Sequence, residues 1–242
     1  MTLLSLFRRA YYAYLSRMYA LMHVLNRRSF FGIRLKSLAR WLPILALLAG
    51  WVLNWSWAVM VALLVGAVWI NFSLWRARRD NYSRFVSGKP APGSEPASEP
   101  LPPNQKVGVL ASGLFSVSGR EGRLLLRPAQ YWRVPLGEHV IMVEEEPGKY
   151  LYQFFDAASL QEVREGRLLF GTHPPRALAI TFLARWGPEY TRFGAPGEAQ
   201  SDDGPPPKRL TIYLSAPDES THHLIRDTII SEARRVRMES RG

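Results

Sequence analysis

The chain carries two distinct hydrophobic patterns. Residues 41–75 form an almost unbroken apolar run, while from about Val107 onward short apolar stretches alternate with polar positions and turn residues. A single helix over the first run would extend roughly 50 Å against a hydrocarbon core of about 30 Å, so the run must break. The break falls at Asn54-Trp55-Ser56-Trp57, where polar turn residues alternate with tryptophans, which favour the membrane interface. The pattern therefore predicts a transmembrane helical hairpin over 38–75. Its second helix, Ala58–Trp75, has a suitable length. The first, Trp41–Leu53, is shorter and extends back to Leu38 if Arg40 lifts its charge to the headgroups. Pro43 is expected in the first turns, where its missing N–H costs little.

Residues 3–28 repeat with a helical period. Leu4, Phe7, Tyr11, Tyr14, Met18, Leu21 and Leu25 recur alternately three and four positions apart, while Ser5, Arg9, Ser16, Arg17, His23 and Arg27 fall mostly elsewhere on the wheel. Residues 1–37 are thus read as a basic amphipathic N-terminal helix. It suits the membrane interface, with aromatic side chains dipping in and arginines meeting phosphates. The same stripe also suits packing on a partner helix, its own copy included. Residues 76–106 follow the hairpin as a basic juxtamembrane segment and a linker with six prolines between 87 and 106, expected to be partly extended.

Residues 107–242 read as a separate β-rich domain. Expected strands are Val109–Val117, Arg123–Arg127, Tyr131–Val134, His139–Glu144, Tyr150–Phe155, Arg167–Phe170, Ala177–Leu183 and Arg209–Leu214. Leu210, Ile212 and Leu214 alternate with Thr211 and Tyr213, as in a half-buried strand. The hexapeptide at Arg120–Leu125 recurs at Arg164–Leu169, and its glycines, Gly122 and Gly166, are expected at turns with positive φ. Residues 194–208 form a polar loop. The chain then enters a final helix with a capping box at Ser215-Ala216-Pro217-Asp218 and an apolar stripe of Leu224, Ile225, Ile229, Ala233 and Val236.

This order of seven or eight antiparallel strands followed by one amphipathic helix resembles the pleckstrin-homology-like (PH-like) domain. The resemblance covers residues 107–238 and rests on element order. It implies a strongly bent antiparallel sheet or barrel with the C-terminal helix plugging one open corner. Bacterial members are often attached to pairs of transmembrane helices, which looks like the present layout. Nothing here matches the basic phosphoinositide-binding loop of the lipid-binding members, so the resemblance implies no particular headgroup.

Charge changes the picture in one respect. Residues 1–79 contain Arg8, Arg9, Arg17, Arg27, Arg28, Arg34, Lys36, Arg40, Arg76, Arg78 and Arg79 and no Asp or Glu, whereas residues 80–242 hold 20 basic and 20 acidic residues. A nucleic-acid-binding protein concentrates its basic excess on a soluble fold, so nucleic acid is not the expected partner. The eleven cations flank the hairpin at both ends and its turn has none. The positive-inside rule then places both termini in the cytoplasm, at the inner membrane of a cell, and makes these eleven residues the expected contacts for anionic lipid headgroups. An arginine-rich, acid-free N-terminus also fits an organellar transit peptide. There is no cysteine, which removes disulfides, thiolate catalysis and Cys-based zinc sites.

No short catalytic motif appears. Glu144-Glu145-Glu146 precedes Pro147-Gly148 and reads as a solvated hairpin end, and Asp202-Asp203 as a solubilising loop. His222 and His223 are adjacent on a helix and cannot readily share one metal, so no metal or cofactor is expected; a zinc site would need a distant ligand such as His139. Tyr131, Trp132, Tyr150, Tyr152, Phe154, Phe155, Trp186 and Tyr190 supply either core packing or an aromatic groove. The expected function is a non-enzymatic, membrane-anchored binding or scaffold module with a protein partner in the membrane. The alternative is a membrane-anchored hydrolase whose site gathers dispersed His and carboxylate residues.

Overall fold

The computed structural model describes residues 3–88, 99–117, 120–135, 137–184 and 208–239. The chain divides into two units, Met1–Arg84 with Leu169–Pro174, and Phe85–Leu168 with Pro175–Gly242. The expected loop at 194–208 lies almost wholly outside the described residues, as do Asp202, Asp203, Trp186, Tyr190 and residues 89–98 of the linker.

The first unit is helical. Helix α1 spans Leu3–Arg27, a two-residue β-hairpin follows (β1 Ser29–Phe30, β2 Ile33–Arg34), and helices α2 (Leu35–Val52) and α3 (Trp57–Arg79) complete it. Both α2 and α3 are long and apolar enough to cross a membrane. They run antiparallel, with Arg40 Nε donating to Asn71 Oδ1 at 2.7 Å. Their turn packs tightly because residue 50 is glycine. A Cβ there would meet Met60 Sδ at 2.8 Å and Trp55 Cε3 at 2.9 Å. Helix α2 begins earlier than the apolar pattern indicates, since the Leu35 N–H bonds the Arg28 carbonyl at 3.0 Å and continues the hairpin directly into helix. Pro43 consequently falls inside α2, past its first two turns, and leaves the carbonyl one turn before it without a helical N–H.

The second unit is an eight-stranded antiparallel sheet in the order β3-β8-β9-β10-β4-β5-β6-β7, with strands β3 Arg84–Ser87, β4 Val107–Val117, β5 Arg120–Arg133, β6 Glu138–Glu146, β7 Lys149–Asp156, β8 Leu160–Leu169, β9 Arg176–Ala184 and β10 Lys208–Ser215. The sheet does not close: its edges are β3 and β7. It is bent enough for Phe155 of β7 to stack on Phe182 of β9, ring centroids 4.9 Å apart. Helix α4, Glu219–Glu239, places Ile225, Ile229 and Ala233 in the same core as Phe115, Ile141, Ile180 and Ile212.

Several expectations are corrected here. Strand β3 and the docking of Leu101 take part of the expected linker into the folded unit: Leu101 is fully buried and its N–H bonds Thr228 Oγ1 at 2.8 Å. The two strands expected on either side of Pro128 are one, β5. Proline is tolerated there because the ladder to β6 begins only at Ala129, so the face lacking an N–H has no partner to disappoint. Gly122 and Gly166 lie within β5 and β8, not at turns, and neither has positive φ. Gly166 is required for a different reason: a Cβ would collide with the Val86 carbonyl and the Phe85 ring of β3. The helix cap is Asp218 rather than a box built on Ser215, which belongs to β10. Asp218 Oδ1 accepts from the Thr221 N–H at 2.7 Å and from Ser220 Oγ at 2.6 Å.

Candidate functional site

The first unit carries the larger part of the surface chemistry. Trp41, Leu42, Leu45, Leu48, Trp51 and Val52 of α2 are exposed, as are Trp57, Leu64, Val65, Val68, Phe72 and Trp75 of α3. A water-facing surface rarely presents so continuous an apolar patch. Polar groups gather at one end of the pair. Arg40, Arg78 and Arg79 are exposed, and Lys36 and Arg76 are half-buried. Lys36 Nζ bonds Asn26 Oδ1 at 2.9 Å, and the Arg79 guanidinium lies 5.7 Å from the Trp75 ring centroid.

Helix α1 packs against the C-terminal half of α3. Its buried face is Leu15, Met18, Tyr19 and Met22, at positions i, i+3, i+4 and i+7, while Leu4, Phe7, Tyr11, Tyr14 and Leu21 of the expected stripe are exposed. Apolar and aromatic residues surround this helix on every side, so it has a second apolar face that packs within the unit and shares only Met18 with the expected stripe. Three tyrosine hydroxyls line the contact. Tyr14 accepts from Trp69 Nε1 at 2.7 Å, Tyr11 accepts from Arg76 Nη2 at 2.9 Å, and Tyr19 donates to the Asp80 carboxylate. Burial, reinforced by that bond, pushes the Tyr19 hydroxyl well above the usual tyrosine range. Asp80 is the first acidic residue of the chain, and it closes this contact beside Arg76, whose Nε is 3.9 Å away. The Ser16 hydroxyl donates to the Gly171 carbonyl at 2.6 Å, and His23 meets Tyr82 and Phe170 edge-on.

The eleven expected headgroup contacts do not form one cluster. Arg8, Arg9 and Arg17 are exposed along α1, Arg27, Arg28 and Arg34 are exposed around the β1–β2 hairpin, and the other five lie at the ends of α2 and α3. Among the described residues the one ion pair any of them makes is Arg76 with Asp80. They are therefore arrayed as a cationic surface with little internal compensation. The β1–β2 hairpin itself was not legible as an element; the clue was the Phe31-Gly32 pair between two short extended dipeptides.

In the second unit the titratable groups are mostly satisfied by one another. Glu232, nearly buried on α4, accepts from Arg133 Nη1 at 2.8 Å and from Arg235 Nη2 at 2.6 Å. These three residues line an open cleft of 260 Å³ with Pro100, Pro135 and Ser231. His139 is sealed in the core, its Nδ1 2.9 Å from the Tyr131 hydroxyl. His222 and His223 lie on α4, and Glu219 pairs with Arg176. No group of three His, Asp or Glu among the described residues is arranged to hold a metal ion. Glu144, Glu145 and Glu146 are exposed at the β6–β7 turn. Of the aromatic residues, Tyr131, Trp132 and Phe155 are buried, whereas Tyr150, Tyr152 and Phe154 line the other face of β7, with the last two rings stacked.

Fold and surface together define a class: two helices apolar enough to cross a membrane, followed by an antiparallel β-sheet domain with a C-terminal helix. No protein family, curated protein or solved structure was found to match this chain.

Proposed function

We propose that this chain is a membrane-anchored, non-enzymatic binding or scaffold module, a component of a larger assembly in the cell membrane. The observation that carries this reading is the exposed apolar surface of α2 and α3, with cations at the open end of the pair, of which only Arg76 has an ion-pair partner among the described residues, and none in the turn between the helices. Helices α2 and α3 form a transmembrane hairpin. Its open end faces the cytoplasm, where arginines meet anionic phospholipid. The sheet domain, read as PH-like from its bent sheet and terminal helix, is the cytoplasmic module that meets a protein partner.

Cysteine labelling tests the anchor and its orientation, and the cysteine-free chain makes it direct. A cysteine replacing Ser56 in the hairpin turn reacts with an impermeant thiol reagent applied to intact cells, whereas one replacing the exposed Lys149 reacts only after permeabilisation. The opposite pattern reverses the orientation. Release of the chain from membranes by alkaline carbonate rejects the anchor itself.

A further inference from the structure

The segment joining α1 to α2 contains a strained and exposed aromatic pair. Ser29 pairs with Arg34 and Phe30 with Ile33, so Phe31 and Gly32 form a two-residue turn. Both have positive φ, 49° and 78°. Such turns are ordinarily made by Asn-Gly or Gly-Gly, because a bulky L side chain at positive φ is an outlier. Here the first position is phenylalanine, 90% exposed, with Phe30 beside it 60% exposed and the two rings edge to face at 4.6 Å. Neither the turn nor the packing of the unit needs an aromatic side chain there. A strained residue that contributes nothing to its own fold points to a contact outside it.

The surroundings indicate what that contact is. Arg27, Arg28 and Arg34 are exposed around the tip, and no acidic residue precedes Asp80 in the chain. A hydrogen bond from the Leu35 N–H to the Arg28 carbonyl fixes the hairpin directly to the first turn of α2. The tip is thereby tied to the end of a candidate membrane-spanning helix. We propose that Phe30 and Phe31 insert into the interfacial layer of the bilayer that α2 and α3 cross, with Arg28 and Arg34 at the level of anionic phosphates. This rests on the membrane-anchored reading. Aromatic rings favour that layer, and arginine at its edge adds attraction for acidic lipid.

The full chain, reconstituted into phosphatidylcholine vesicles containing phosphatidylglycerol, tests the proposal. Single cysteines at Phe31 and, separately, at the exposed mid-helix Val65 each carry an environment-sensitive NBD probe. The expected result is blue-shifted emission at both sites, quenched by lipids spin-labelled near the headgroup at 31 and by lipids labelled deep in the chain at 65. In an Ile33→Cys reporter, the added Phe31→Asn change should reduce headgroup quenching severalfold without lowering thermal stability, since asparagine suits the turn. A water-like probe at 31 with a quenched probe at 65 overturns the tip and leaves the anchor standing. Blue-shifted emission at 31 that no lipid quencher reaches places the tip against protein and also overturns it. A water-like probe at 65 overturns the anchor and the tip with it.

Discussion

The Tyr131 hydroxyl and His139 Nδ1 lie 2.9 Å apart on neighbouring strands, in a place solvent does not reach. The imidazole is stacked between Tyr131 and Phe155, with centroids 6.0 and 4.8 Å away, and its Nε2 has no hydrogen-bond partner. Burial holds its pKa down to about 4; the nearby Glu232 carboxylate pulls it up and the Arg133 guanidinium opposes that.

Acid sensitivity follows. The unfolded chain takes up the His139 proton at its ordinary pKa near 6.5, before the folded state does. The stabilisation is complete above that pH and is lost as the pH falls from 6.5 toward 4, about 3 kcal/mol in all. Thermal unfolding of the detergent-solubilised protein at pH 7 and pH 4.5 checks this. His139→Phe keeps the stack and removes the proton site, so its melting temperature should fall less on acidification than that of the wild type. Equal shifts in the two proteins would exclude His139 as the source.

The two copies of the repeated hexapeptide make a controlled comparison. Gly166→Ala drives a methyl group into the Val86 carbonyl and the Phe85 ring, whereas Gly122→Ala meets, among the described residues, only Leu151 Cδ1, at an ordinary 3.5 Å. The first should destabilise the sheet domain by about 1–3 kcal/mol and free β3 to proteases. The second should change stability by less than about 1 kcal/mol. Limited proteolysis between residues 80 and 100 reads the difference, and similar cleavage of the two variants would show that β3 does not depend on Gly166.

Much of the domain is written in local alternation. Strands β7 and β10 are recognisable because buried positions alternate with less buried ones, as at Leu210, Ile212 and Leu214, whereas β9 is buried along almost its whole length and stands out by its apolar content. Strand β3 is not, because its four residues follow a basic stretch and acquire meaning only from the glycine 80 positions later that accommodates them. Pro128 splits β5 in the sequence because a proline usually ends a strand, and only the register with β6 shows why this one does not. The cationic surface is legible as composition. Its distribution is not: which tyrosines of α1 face α3, and the exposure of Phe31, depend on contacts no periodicity encodes.

The domain boundary gives a further expectation. Leu101 is fully buried and β3 forms an edge of the sheet, so a fragment beginning at residue 84 should be more stable than one beginning at 105. Burial of one leucine side chain alone is worth about 2 kcal/mol. Urea titration of both fragments, followed by circular dichroism, measures this, and identical midpoints would return residues 84–106 to the role of a spacer. Within either fragment Ile229→Asp should abolish folding. It puts a carboxylate where a fully buried side chain packs in the core, at several kcal/mol against a total stability of about 5–15 kcal/mol.

The two faces of α1 should separate by mutation. Leu15 is fully buried with Met18, Tyr19 and Met22, whereas Leu4 is 81% exposed beside Arg8 and Arg9 on the free N-terminal turns. Leu15→Asp places a charge in the buried face of α1 and should undock the helix, seen as rapid tryptic cleavage at Arg17 in detergent micelles. Leu4→Asp should leave that cleavage unchanged. It should instead weaken binding of a peptide of residues 1–30 to phosphatidylglycerol vesicles, because it removes inserted apolar area and opposes the arginines. In the same peptide, changing Arg8, Arg9, Arg17, Arg27 and Arg28 to Gln should erase the preference for anionic over neutral vesicles. Each such charge contributes about 1 kcal/mol near an acidic surface, attenuated over a screening length of about 8–10 Å as salt is added. A peptide that assembles into a stable helical oligomer in water and ignores lipid charge would mean that the exposed stripe from Leu4 to Tyr14 meets protein instead. Leu4→Asp would then disrupt that oligomer, so one pair of substitutions distinguishes a lipid-facing helix from a docking helix.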